Sequence, residues 1–263
     1  MSRRGRRVPW LAVLVAFIGF LFIALPLIGL IQQVAWGNLW TDLKTPEATA
    51  ALKLSLIGSI WATGLSVVFG VPLAWVLARV SFPGRSIVRA LVLLPLVVPP
   101  VVGGVGLFYA FGLKGLVGQY LYEWFNIQVT YSTAAVVMAE TFVAMPFLVI
   151  TVEAALRSMD RRYEDAAATL GAQPITVARR VTLPMIMPGL IAGAALAWAR
   201  ALGEFGATIT FAGNIQGRTQ TTPLAVNLLL QSKPDIAIGL SVVLLAVCVA
   251  VLALLRDRWL GVG

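Results

Sequence analysis

The chain has 263 residues, of which 59% are hydrophobic and only 12% are charged, and its mean hydropathy is +0.90. Such a composition is typical of a polytopic membrane protein and leaves no room for a sizeable soluble domain. Histidine is absent and Cys248 is the single cysteine, which excludes disulfides within the chain, His-ligated metals and His-dependent catalysis, so we expect no cofactor and no metal site.

Six apolar stretches follow one another along the chain, each long enough for the roughly 20 residues that cross a hydrocarbon core. They are residues 8–34, 54–78, 90–113, 133–156, 187–211 and 236–255. The first has a basic start like a signal peptide, but no small-residue cleavage site ends it, which favours an uncleaved membrane helix. We therefore predict an all-α integral membrane protein with six transmembrane helices.

The positive charges predict the orientation of these helices. Fourteen of the twenty Lys and Arg residues lie in the termini and the connections on one side, and five lie on the other. Because positive residues accumulate on the cytoplasmic side, both termini and the 160–184 loop are expected in the cytoplasm. The net charge of +9 is thus explained by membrane topology, and no nucleic-acid partner is expected.

Prolines interrupt the third apolar stretch. Pro95, Pro99 and Pro100 each remove a backbone donor, and such backbone must be satisfied by neighbouring helices or face water. We predict a bent helix that borders a translocation path, with a kinked packing helix as the alternative.

The most polar internal segment is residues 163–184. Asp165 precedes Ala166 and Ala167, Gly171 follows them, and Pro184 closes the segment. Acidic residues and helix formers predict a short helix over 164–170, with Gly171 just past its end. An alanine-surfaced helix suits a groove on another protein, whereas the alternative is an ordinary connector between membrane helices.

This segment resembles the EAA loop of permease subunits of ATP-binding-cassette importers, with Asp165 in place of the usual Glu and Val181 in place of Ile. The resemblance implies a coupling helix that docks in a cleft of the ATPase subunit and transmits its closure. It assigns coupling roles to Asp165, Ala166, Ala167, Gly171 and Pro184.

The fifth apolar stretch contains Arg200 and Glu204, four residues apart on one predicted helix face, and Glu140 lies midway along the fourth stretch as a second candidate partner for Arg200. Charges at such depth should face protein or water. We predict either a pair that fixes helix packing or a translocation path, which would also include Thr208 and Asn214.

The balance of these charges bears on substrate binding. If all three side chains are ionised they sum to −1, whereas a tight site for a dianion would need excess positive charge or many donors. A low-affinity conduit is therefore expected, with selection by another protein. The phosphate-loop sequence Gly-x-x-x-x-Gly-Lys-Ser/Thr is missing, so ATP hydrolysis would belong to a separate subunit.

The chain as a whole resembles molybdate-type importer permeases, through residues 82–84, 94–102, 115–125, the coupling loop and 199–225. The resemblance implies the type I importer fold in a multi-pass cell-membrane protein. It also implies a homodimer, two ATPase subunits and an extracytoplasmic protein that delivers molybdate or tungstate, with transport by alternating access. The corresponding division is a first segment of residues 1–50, a transmembrane domain at 51–256 and a cytoplasmic tail at 257–263.

Three other functions remain open at this point. Sulfate or thiosulfate import is the nearest, because sulfate permeases are similar over the 203–214 run. An ion-coupled secondary transporter would have only Glu140 and Glu204 for an intramembrane relay. A membrane enzyme would lack histidine, an exposed cysteine and paired carboxylates in a cleft, so an enzymatic role is not expected.

Overall fold

The computed structural model describes residues 10–259, which form α-helices joined by short connections and no β-strand. The predicted cytoplasmic start with Arg3, Arg4, Arg6 and Arg7, and residues 260–263 of the tail, lie outside the described residues. The helices are α1 (Trp10–Gln32), α2 (Leu39–Leu43), α3 (Pro46–Arg79), α4 (Arg85–Val97), α5 (Pro100–Phe111), α6 (Gly118–Phe125), α7 (Thr133–Ser158), α8 (Arg162–Thr169), α9 (Pro174–Val177), α10 (Leu183–Leu202), α11 (Gly206–Phe211), α12 (Thr222–Leu229) and α13 (Pro234–Trp259).

Five helical stretches in the described range are long and apolar enough to cross a membrane, and the bent pair α4–α5 makes a sixth candidate. The five are α1, α3, α7, the continuous stretch Pro174–Leu202 and α13. The predicted all-α membrane architecture is confirmed. The second span begins at Pro46 instead of near residue 54, because a proline in the first helical turn loses no hydrogen bond.

The core of the bundle is the packing of α3 and α10 against α7. Small residues make this packing close. A Cβ on Gly70 would lie 2.9 Å from the Leu148 side chain, and one on Gly193 would lie 3.0 Å from Thr151. Membrane helices associate through such small-residue faces because lipid offers no hydrophobic drive to hold them together.

The third span is two helices and not the predicted single bent one. The helix axis turns by 118° between α4 and α5, with the break at Val98 and Pro99. Val98 precedes Pro99 and Pro99 precedes Pro100, and steric clash with the proline ring disfavours helical backbone in a residue before proline. Two consecutive non-helical residues therefore separate the helices, and α5 begins at Pro100.

The fifth span also differs from the prediction, because residues 187–211 do not form one continuous helix. α10 ends at Leu202, and α11 begins only at Gly206. Within the break, the Glu204 carboxylate accepts a hydrogen bond of 2.8 Å from the N–H of Ala207 in the first turn of α11. This bond satisfies one of the first N–H groups of α11, which have no partner within the helix. α11 then packs against α5.

α1 lies at the edge of the described bundle. It contains no buried residue, and its apolar side chains are exposed along most of its length. Its packing within the chain is mainly against α13. Such an all-round apolar surface is suited to lipid.

Candidate coupling and translocation sites

The helix predicted at 164–170 is present as α8, and it ends as the sequence indicates. Gly171 has a φ of 81°, in the left-handed region that favours glycine. Its N–H donates to the carbonyl of Ala168 at 3.0 Å, and the N–H of Ala172 donates to that of Ala167 at 3.1 Å. No atom lies within 4 Å of where a Cβ on Gly171 would be. Backbone conformation, and not space, therefore selects glycine here.

α8 presents its predicted coupling residues unevenly. Asp165 and Ala166 are exposed, Ala167 is half-buried, and Leu170 just after the helix has 89% of its surface exposed. An exposed leucine beside small side chains forms an apolar surface of the kind that another protein covers. Pro184 is exposed but lies in the first turn of α10, not on α8.

Glu164 ties α8 to the rest of the bundle. Its carboxylate forms an ion pair of 3.2 Å with Arg79 at the C-terminal end of α3, and it accepts a 2.7 Å hydrogen bond from the hydroxyl of Thr182. Arg161, just before α8, donates to the carbonyl of Ala78 at 3.4 Å. The inner face of α8 is therefore joined to two membrane helices, α3 and the stretch leading into α10.

Thr182 lies in a π-helical turn, Ala178–Thr182, which joins α9 to α10. The turn keeps the stretch from Pro174 to Leu202 continuous as a helix. Such single π-turns occur frequently at functional sites. Here the turn lies where the coupling loop enters the membrane helix.

The charged pair predicted in the fifth span is formed. Arg200 lies 2.6 Å from Glu204, although Glu204 lies beyond the end of α10 and not on a continuous helix face. Only 1% of the Glu204 surface is exposed, against 28% of the Arg200 side chain. Glu204 thus both pairs with Arg200 and holds the start of α11, which favours the packing role.

Glu140 is not the second partner of Arg200. Only 1% of its surface is exposed, and among the described residues no cation lies within 4 Å of its carboxylate. Its Oε2 atom has no hydrogen-bond partner there, and a Cβ on Gly58 of α3 would lie 3.0 Å from it. The glycine at position 58 leaves room for this carboxyl group between α3 and α7.

The two polar residues of the predicted path differ in burial. Thr208 is fully buried, with an unpartnered hydroxyl among the described atoms, whereas Asn214 is exposed beyond α11. The fold buries four further polar residues that precede or begin α12. They are Thr219, Gln220, Thr221 and Thr222.

Comparison with known proteins identifies the family. A family model described as "Binding-protein-dependent transport system inner membrane component" matches residues 70–262. The chain belongs to this family. One relative is the "Molybdenum transport system permease protein ModB" of Mycobacterium tuberculosis. It is 49% identical to this chain over 94% of this chain and 91% of its own length.

Two further similarities bear on this transport component. The "Sulfate transport system permease protein CysT" of Salmonella typhimurium is 41% identical over 80% of this chain and 77% of its own length. A crystal structure titled as a bacterial alginate ABC transporter with its alginate-bound periplasmic protein gives a TM-score of 0.69 at 22% identity, covering 94% and 92% of the two chains. This match confirms the predicted importer-permease fold.

The family match includes most of the residues that the structure brings together. Glu164, Thr182, Arg200 and Glu204 all lie inside residues 70–262. Sequence reasoning on this transport component missed the link from Glu164 to Arg79 and Thr182. Its only local signal is an acidic residue in a first helical turn, which is typical of any helix start.

Proposed function

We propose that this chain is the permease subunit of an ATP-driven importer that translocates molybdate or tungstate. Two copies would form the membrane pathway, two separate ATPase subunits would bind on the α8 side, and an extracytoplasmic binding protein would deliver the anion. The observation that carries the substrate class is the 49% identity to ModB over 94% of the chain, compared with 41% over 80% for CysT.

The geometry of α8 supports the ATP-driven part of the proposal. Its outer face carries exposed Asp165, Ala166 and Leu170, while its inner face is bound to α3 and to the π-turn through Glu164. An element that is free on one side and anchored on the other can transmit the movement of a partner. The role of the exposed face is to fit a cleft of the ATPase.

The charge distribution supports the orientation. Arg79 and Arg161 contact α8 or the end of α3, and Arg89 and Arg157 share a carboxylate at the same end of the bundle. Because positive residues favour the cytoplasmic side, α8 and both termini would be cytoplasmic. The protein would then be a multi-pass component of the cell membrane.

The interior supports a low-affinity conduit. Glu140 and Glu204 are both buried, and the single cation Arg200 pairs only with Glu204, so the described midplane residues offer no positive excess for a dianion. Selection would be made by the binding protein, and alternating access would move the anion past this region without a tight resting site.

The decisive experiment measures uptake of labelled molybdate into proteoliposomes that contain the permease, its ATPase and its binding protein. We expect ATP-dependent accumulation that unlabelled tungstate inhibits at lower concentration than sulfate does. Preferential inhibition by sulfate would favour the alternative, a sulfate or thiosulfate importer, which the CysT similarity supports. Uptake that continues with a hydrolysis-deficient ATPase and collapses with an uncoupler would instead indicate an ion-coupled transporter.

A further inference from the structure

A basic pocket opens where α3 and α7 end and α4 begins, on the same side of the bundle as α8. Its volume is about 470 Å³, and its lining residues are Phe82, Gly84, Arg85, Ser86, Arg89 and Arg157. Three of these six residues are arginines. We propose that this basic pocket binds the phosphate of an anionic phospholipid headgroup.

The arginines of the basic pocket are held together with too little negative charge. Arg85 and Arg89 both donate to the carbonyl of Leu77 near the end of α3. Arg89 and Arg157 both bind the carboxylate of Glu153, with Arg157 Nη2 at 2.8 Å. These contacts connect three guanidinium groups to a single carboxylate, so two positive charges are left without a counter-charge in this cluster.

The donors suit a phosphate. Guanidinium groups match the geometry of phosphate oxygens and remain charged at any physiological pH. Arg157 keeps 47% of its side chain exposed, so it has donors to spare beyond Glu153. Ser86, which carries a hydroxyl donor, lines the same opening. α4 begins there at Arg85, with Gly84 before it and no side chain capping its first turn, and a helix N-terminus attracts anions.

The surface beside the basic pocket suits acyl chains. α4 carries apolar residues on successive turns at Ile87, Leu91 and Leu94, and all three side chains are exposed. The helix is thus polar and positive where the pocket opens and apolar along the face that leads away from it. A phospholipid has the same arrangement, with a charged headgroup joined to apolar chains, and anionic lipids bind basic pockets between membrane helices. A free phosphate ion would use the pocket but not this face.

The test uses the full chain purified in detergent, with lipid binding measured by native mass spectrometry. The probes are phosphatidylglycerol and phosphatidylcholine with identical acyl chains, and inorganic phosphate as a competitor. Because a hydrogen bond to a charged group contributes about tenfold or more to a binding constant, we expect Arg157→Gln to weaken phosphatidylglycerol binding roughly tenfold, and Arg157→Lys to retain most of it. The matched control is Arg162→Gln, since Arg162 is 91% exposed on α8, outside the pocket.

Several results would overturn the proposal. One is equal affinity for the two lipids, and another is equal loss in Arg157→Gln and Arg162→Gln. Displacement of phosphatidylglycerol by inorganic phosphate at millimolar concentration would assign the basic pocket to a free anion. Protection of Arg157 by a second copy of the chain, in a lipid-free dimer, would assign it to a subunit contact. None of these measurements involves transport, so failure here leaves the proposed molybdate function untouched, and failure of uptake leaves the lipid site untouched.

Discussion

The left-handed backbone at Gly171 allows one prediction to be worked out in some detail. Replacing Gly171 by valine puts a β-branched side chain at a φ of 81°. Nothing lies within 4 Å of the position of a Cβ, so the cost is expected to be conformational and not steric. A non-glycine residue in this region costs about 1–3 kcal/mol, and a β-branched residue lies at the upper end of that range.

This cost acts on the end of α8 and not on the membrane core. A penalty of about 1–3 kcal/mol reduces the population of the native helix end roughly 5- to 150-fold relative to alternatives that release it. The carbonyls of Ala167 and Ala168 would then lose their present donors, and Leu170 would leave its exposed position. Docking on the ATPase should suffer while insertion into the membrane does not.

The assay is the ratio of labelled molybdate taken up to ATP hydrolysed in proteoliposomes that contain the complete transporter. We expect Gly171→Val to lower this ratio severely while the protein remains in the membrane. Gly171→Asn is the matched control, because asparagine tolerates the left-handed region, and Gly171→Ala should fall between them. Normal coupling in the valine variant would refute the docking role, and equal damage by asparagine and valine would refute the conformational explanation.

Three further predictions concern the buried charges and the separate motor. Arg200→Ala leaves the carboxylate of Glu204 buried without its cation. We expect the free energy of unfolding to fall by about 2–4 kcal/mol, which is somewhat less than is usual for breaking a fully buried ion pair because Arg200 is partly exposed. Thermal unfolding in detergent should show this loss, and the double variant that also carries Glu204→Gln should recover much of it. A change confined to the anion dependence of uptake would contradict the packing role. Glu164→Gln should lower the free energy of unfolding by about 1–3 kcal/mol and should also lower uptake per ATP. Exchange of the two charges in an Arg79→Glu, Glu164→Arg double variant should restore part of the uptake per ATP. Unchanged coupling in the single variant would contradict a role for the Glu164–Arg79 ion pair. The permease reconstituted alone should accumulate no molybdate, and concentrative uptake without its ATPase would refute the ATP-driven proposal.

Features with a local signal in the chain could be predicted from the sequence. Apolar length located the membrane helices because a hydrocarbon core sets a minimum span. The end of α8 could be predicted because acidic residues and Gly171 act within one or two turns. The Arg200–Glu204 pair could be predicted for the same reason, since its partners are four residues apart.

Features that depend on distant partners or on a change within an apolar run could not be predicted. Apolar residues lie on both sides of Glu204, so the apolar pattern alone does not show that α10 ends at Leu202 and that α11 begins only at Gly206. The prolines at 99 and 100 indicated a bend, but its size depends on the packing of α5 against α11. The partner of Glu164 is Arg79, on a helix far away in sequence, and only the folded bundle brings them together.

The double attachment of α8 has a mechanical consequence. A displacement of α8 would act on α3 through the Glu164–Arg79 ion pair and on α10 through the hydrogen bond to Thr182, and both helices pack against α7. Glycines of α3 and α10 bring both helices into close contact with α7, and small sliding of packed helices is a common form of conformational change. A single displacement of α8 would then move α3 and α10 together along the surface of α7.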